Sequence, residues 1–187
     1  MTYDQQAVSD VPRSTEPMFQ YLVDTYAGEI EKTASVWRGF ADGDLAYRPH
    51  PRSSTVAEIM KHQILSERRF FAEFLESPEP AASELLPVEI AVSALSDRMV
   101  KLAIARLAFL AGRSHHWWFE HAPFFDVARE RIWIFWRRVL HTAHHRTQLT
   151  VYLRMLDKTV PSTYGPTADV TWKGADPTTT VEAASRK

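Results

Sequence analysis

The longest amphipathic run in the chain is "ARERIWIFWRRVLHTAHHRTQLTVYLRML", from Ala128 to Leu156, without a Gly or Pro to interrupt it. Read as one helix of about 29 residues, it extends roughly 43 Å at 1.5 Å per residue and is the dominant element of the fold. Three shorter helical segments precede it. In "STEPMFQYLVDTYAGEIEKTASVWRGF" Ser14 or Thr15 can cap and Pro17 sits in the first turn. Phe19, Leu22, Val23, Tyr26, Ile30, Val36, Trp37 and Phe40 then recur at helical spacing and predict its buried side. In "TVAEIMKHQILSERRFFAEFLE" Ser54 or Thr55 can cap, with Glu58 placed to complete a capping box. The third helix is expected over Val88–Leu110, ending near Gly112.

The connections carry information too. "ADGDLAYRPHPRSS" is a turn-rich loop. "RSHHWWFEHAPFFDV" is too aromatic for a solvated loop and reads as a connection packed over one end of a bundle. No convincing strand run is present, so the expected fold class is all-α, a four-helix bundle. The chain of 187 residues, 45% hydrophobic, suits one domain. Residues 1–14 are expected to be a flexible N-terminal tail, 15–169 the bundle and 170–187 a disordered tail. Within "DKTVPSTYGPTAD", Pro161, Tyr164 and Pro166 are expected to fold against the body.

Composition removes several function classes. The 22 Lys and Arg balance 23 Asp and Glu, for a net charge of -1, and no basic block offers a nucleic-acid footprint. With 0 cysteines, any metal must be held by nitrogen and oxygen donors, and a catalytic thiol must come from outside. The polar N-terminus does not read as a signal peptide, and "LAIARLAFLAG" is far short of the roughly 20 residues of a membrane span, so a cytoplasmic location is the default expectation. No phosphate loop, G-x-S-x-G elbow or H-E-x-x-H motif occurs. The two E-x-x-H motifs of a di-iron bundle are also missing, since Glu58 lies four before His62 and Arg138 three before His141.

What remains is histidine. His141 and His145 stand one turn apart, on the same side of the long helix as Gln148 and Tyr152, while Thr142, Arg146, Thr147, Thr150 and Arg154 are expected on the solvated side. Two imidazoles at i, i+4 can aim at one ion, but a pattern this short by itself more often marks a pair of core histidines, here satisfied by Gln148 or Tyr152. His62, in a helix with partly apolar surroundings, is the candidate third ligand, or a half-buried histidine bonded to a carboxylate. Three neutral imidazoles from two helices would leave a coordination position open for water or substrate. His144 falls beside this group as a neighbour or packing residue. His115, His116 and His121 suit solvated or aromatic-stacked roles, and His50 a loop. Glu58 and Glu67 could orient an imidazole or act as a base.

"YRPHPRSSTVAEIMKHQILSERRF" and "HTAHHRTQLTVYLRML", with "VPSTYGPTAD" after them, resemble the motifs of the DinB/YfiT-like family, in this order and separation over most of residues 15–169. Thr147 stands where many relatives have Gly. The resemblance implies a DinB-like four-helix bundle, often a homodimer, with a divalent metal held by His62, His141 and His145. Zn or Ni leads among the metals implied, with Fe or Mn behind. It also implies a metal-dependent enzyme that activates a low-molecular-weight thiol or water for transfer or hydrolysis on a small-molecule substrate. Glu58, Gln148 and Tyr152 are the candidates for supporting or substrate-orienting roles. The alternative is a non-catalytic metal-binding stress-response protein.

Overall fold

The computed structural model of the chain describes residues 11–169. The expectations for residues 1–10 and 170–187 lie outside the described residues. A 3-10 turn, Pro17–Phe19, leads into α1 (Gln20–Trp37), followed by α2 (Val56–Arg69), α3 (Val92–Ala111), the short α4 (His115–Phe119) and α5 (Arg131–Met155). α1 packs on α3 and α5, and α2 on α5 and α3, which closes the four long helices into a bundle. All eight residues expected on the buried side of the first helix are buried, Leu22, Val23, Val36 and Trp37 completely. Each large apolar side chain so enclosed contributes on the order of 1.5–3 kcal/mol, and this stripe is what orders α1.

α2 begins as its sequence predicts. The Glu58 amide donates to Thr55 Oγ1 at 3.2 Å and the Thr55 amide to Glu58 Oε2 at 2.7 Å, a reciprocal cap. One turn on, the buried amide of Gln63 accepts from Trp37 Nε1 at 3.2 Å and donates to the Thr142 carbonyl at 3.3 Å. That bridge fixes the register of α2 against α1 and α5. After Arg69 the helix widens into a π-turn, Phe70–Phe74, in which the Leu75 amide reaches back to the Phe70 carbonyl. The wide turn lets two consecutive rings point inward, Phe70 toward Arg138 and His141, Phe71 toward Tyr26 and Arg106.

The aromatic connection does cover one end of the bundle, but it contains a hairpin that periodicity did not reveal. β1 (His121–Phe124) pairs antiparallel with β2 (Val127–Glu130), from His121 opposite Glu130 to Phe124 opposite Val127. Strands of four residues, one carrying Pro123, are too short to display an alternation in sequence. The tight turn places Phe125 in the left-handed region at φ 55°. Because β2 takes Ala128–Glu130, α5 starts at Arg131 and runs 25 residues, about 37 Å, shorter than expected. α3 likewise begins at Val92, leaving Val88 exposed.

The faces of α5 need a second correction. Thr142 and Arg146, expected in solvent, are buried at 4% and 1% exposure. Arg146 Nη1 donates to Glu29 Oε2 at 2.6 Å, and Lys32 and the Tyr164 hydroxyl meet the same carboxylate at 3.3 and 2.7 Å. A charge neutralised by a distant helix reads as polar in any hydropathy pattern, which is why the face was misplaced. Tyr164 also brings the C-terminal segment onto the body, where Pro161 is buried and Arg154 grips Asp169 at 3.1 and 2.5 Å. At the other end, Gln20 holds Pro12 and Ser14, so the last residues assigned to the N-terminal tail are tied to α1.

Candidate metal centre

α2 and α5 bring His62, His141 and His145 together. Their ring centroids are 5.4 Å (His62–His141), 4.8 Å (His62–His145) and 4.6 Å (His141–His145) apart. One ring nitrogen from each lies within 4.8 Å of the others, a separation from which side-chain rotation can bring them to one ion. His62 is exposed and the other two half-buried, so the cluster has an open edge. No carboxylate belongs to the group among the described residues.

The tautomer of His145 follows from its partners. A backbone carbonyl only accepts, so the Tyr152 hydroxyl donates to the Ser54 carbonyl at 3.1 Å. Gln148 Nε2 then donates to that hydroxyl at 3.2 Å, which turns Gln148 Oε1 toward His145 Nδ1 at 3.1 Å. His145 Nδ1 therefore carries the proton and Nε2 keeps its lone pair for an electrophile. Gln148 and Tyr152 thus form a hydrogen-bond chain that links His145 to the Ser54 carbonyl.

His141 meets a different neighbour. Arg138, 1% exposed, donates through Nη1 to His141 Nδ1 at 3.1 Å and to Ser66 Oγ at 2.9 Å, and through Nη2 to Thr142 Oγ1 at 2.9 Å. A guanidinium has no acceptor, so His141 Nδ1 must accept.

All three imidazoles are held below the usual histidine range. Burial against its neighbours lowers His62, with Arg138 adding to the effect. Burial comes first for His141 also, and Arg138, His145 and His62 carry it down to about 3. His145 is lowered by burial, then by His62, His144 and Arg138, against its hydrogen bond to Gln148 Oε1, which favours the charged form. Neutral imidazole is the ligand form, so the site is poised for a Lewis acid.

The remaining candidates are elsewhere. The Glu58 carboxylate is exposed and engaged by the α2 cap, which lowers its pKa; it does not join the histidines. Glu67 is buried 3.3 Å from Arg106, whose fork also grips Glu79 at 2.8 Å. His144 stays outside the triad, its ring 5.0 Å from that of His145. The His115 ring packs tilted against Phe119 with centroids 4.7 Å apart, and His50 Nδ1 accepts from the Arg52 amide in its loop. Sequence reasoning missed Arg138 as a site residue. Its i, i+3 and i, i+4 spacing to His141 and Thr142 was the signal available.

A bundle with three histidines drawn from two facing helices defines a class of candidate metalloproteins. A family model described as the DinB family matches residues 13–175, and the chain belongs to that family. Its fold is similar to that of a DinB-like protein from Bacillus cereus, with TM-score 0.63 and 19% identity over 76% of this chain and 95% of that one. A DinB-like protein from Bacillus subtilis is comparable, with TM-score 0.61 and 19% identity over 76% and 96%. No curated protein matches significantly.

Proposed function

We propose that this chain is a divalent-metal-binding protein, with His62, His141 and His145 as the ligands, and that it works as an enzyme on a small-molecule substrate. The observation that carries the reading is the convergence of three neutral imidazoles at an open edge with no carboxylate in the group. Nitrogen-only donors suit Zn or Ni ahead of harder ions, with Fe or Mn as poorer fits. A cation bound here would act as a Lewis acid and favour the anionic form of water or a small thiol near neutral pH.

The chain's own residues supply the rest. The Ser54 carbonyl, Tyr152 and Gln148 orient His145, and the Phe70 ring, stacked at 6.5 Å from His141, closes the inner wall. With no cysteine in the chain, a thiol nucleophile has to be exogenous. Glu58 serves the α2 cap, so it would not act as the base for a nucleophile at this site, and the exposed His62 edge is the side open to solvent. The low-molecular-weight thiol and the homodimer rest on the resemblance of the sequence motifs alone.

The test is metal analysis of untagged protein, followed by a panel of small thiols and electrophiles on wild type and His62→Ala. One ion per chain, and a thiol-dependent reaction lost on substitution, is the expected outcome. Metal with no turnover would favour the non-catalytic role, and activity indifferent to His62→Ala would refute the enzymatic one.

A further inference from the structure

The two ligand histidines of α5 sit in opposite hydrogen-bonding environments. His145 gives its Nδ1 proton to a neutral amide oxygen, whereas His141 Nδ1 receives a proton from a buried cation. We infer that Arg138 is a positioning residue that holds His141 in the Nε2–H tautomer and competes with a bound cation for this ligand. The inference rests on the metal-binding reading of the three histidines.

Geometry leaves no route around Arg138. Coordination through His141 Nδ1 displaces the guanidinium N–H that now occupies its lone pair. Coordination through Nε2 moves the ring proton to Nδ1, where it faces that same N–H at the present 3.1 Å. Arg138 cannot easily turn away, because Ser66 Oγ and Thr142 Oγ1 anchor both terminal nitrogens and the Phe70 ring lies 5.6 Å from the guanidinium carbon. Among the described residues no carboxylate hydrogen-bonds or ion-pairs with Arg138, and Glu67 acts on its charge only through the coulombic field. Metal-free protein therefore presents His145 with its Nε2 lone pair available and His141 as a ligand that is retained. A ligand of this kind keeps the ion exchangeable and makes His141 the last to engage.

Two measurements test this. In uniformly ¹⁵N-labelled, metal-free wild type at pH 7.5, long-range ¹H–¹⁵N correlations should show His145 protonated at Nδ1 and His141 at Nε2. His141→Asn and His145→Asn provide the assignments. His141 protonated at Nδ1 would overturn the inference without reference to any variant. The second measurement is zinc titration of wild type and Arg138→Gln by chelator competition, with folding checked by circular dichroism. Gln can accept from Nδ1–H as Gln148 does for His145, so zinc should bind about tenfold to a hundredfold tighter. Thr142→Val, which removes one anchor and keeps the charge, should fall between them. Zinc binding by wild type with no gain in folded Arg138→Gln overturns the competition and leaves the metal reading intact. No zinc binding in either protein overturns both.

Discussion

Two arginines on α5, Arg138 and Arg146, are two turns apart and equally buried, at 1% exposure each. Their surroundings differ in one respect. Arg146 meets the Glu29 carboxylate and lies 4.8 Å over the Tyr164 ring, so it ties α5, α1 and the C-terminal segment together. Arg138 finds two hydroxyls and an imidazole. Burial lowers the Arg138 pKa from its ordinary value, and the largest compensation, from Glu67, is coulombic only. The pairing of Arg146 serves the fold. Arg138 ties α5 to α2 through Ser66 and also reaches one of the three histidines.

The largest effect expected from breaking this comparison is Glu29→Ala, which leaves the Arg146 charge buried without its carboxylate. It should cost about 3–5 kcal/mol in urea unfolding. Arg138→Gln orphans no carboxylate and should cost less, about 1–3 kcal/mol. Equal losses would mean that both arginines are structural.

Acid should separate the two regions next. In the folded metal-free chain His141 stays neutral down to about 3, while in the unfolded chain it protonates near the ordinary value of about 6.5. The unfolded state therefore binds the extra proton between these limits, and stability falls as pH drops from about 6.5 toward 3. His62 and His145 act in the same direction. His141→Phe should flatten this dependence, read as urea midpoints at pH 7.5 and pH 5. An unchanged slope would place the acid sensitivity elsewhere.

The smallest effect belongs to the hydrogen-bond chain. Tyr152→Phe removes the link between Gln148 and the Ser54 carbonyl and should cost about 1 kcal/mol. Zinc affinity should fall by about tenfold, since His145 loses its orientation. A stability loss with no change in affinity would make Tyr152 a packing residue only.

How much of this was legible in sequence depends on the range of the interaction. The buried stripe of α1, the Thr55–Glu58 cap and the one-turn pairing of His141 and His145 are local, and each stands where the sequence predicts. The β1–β2 hairpin escaped because four-residue strands leave no period to read. Arg146 escaped because its partner Glu29 lies on another helix, far away in sequence, and pattern alone assigns an arginine to solvent. Glu58 was legible twice, as a cap and as a possible base, and the cap is what the backbone uses. Arg138 went unrecognised for a related reason: what matters about it is the missing carboxylate, which one helix cannot display.

The central claim is that His62, His141 and His145 belong to one metal centre, and X-ray absorption at the zinc edge of reconstituted, untagged protein tests it directly. Wild type should show three imidazole nitrogens at about 2.0–2.1 Å with one further light-atom ligand, and His62→Ala should show two. A shell with one imidazole or none in wild type, or one unaltered by His62→Ala, would contradict it.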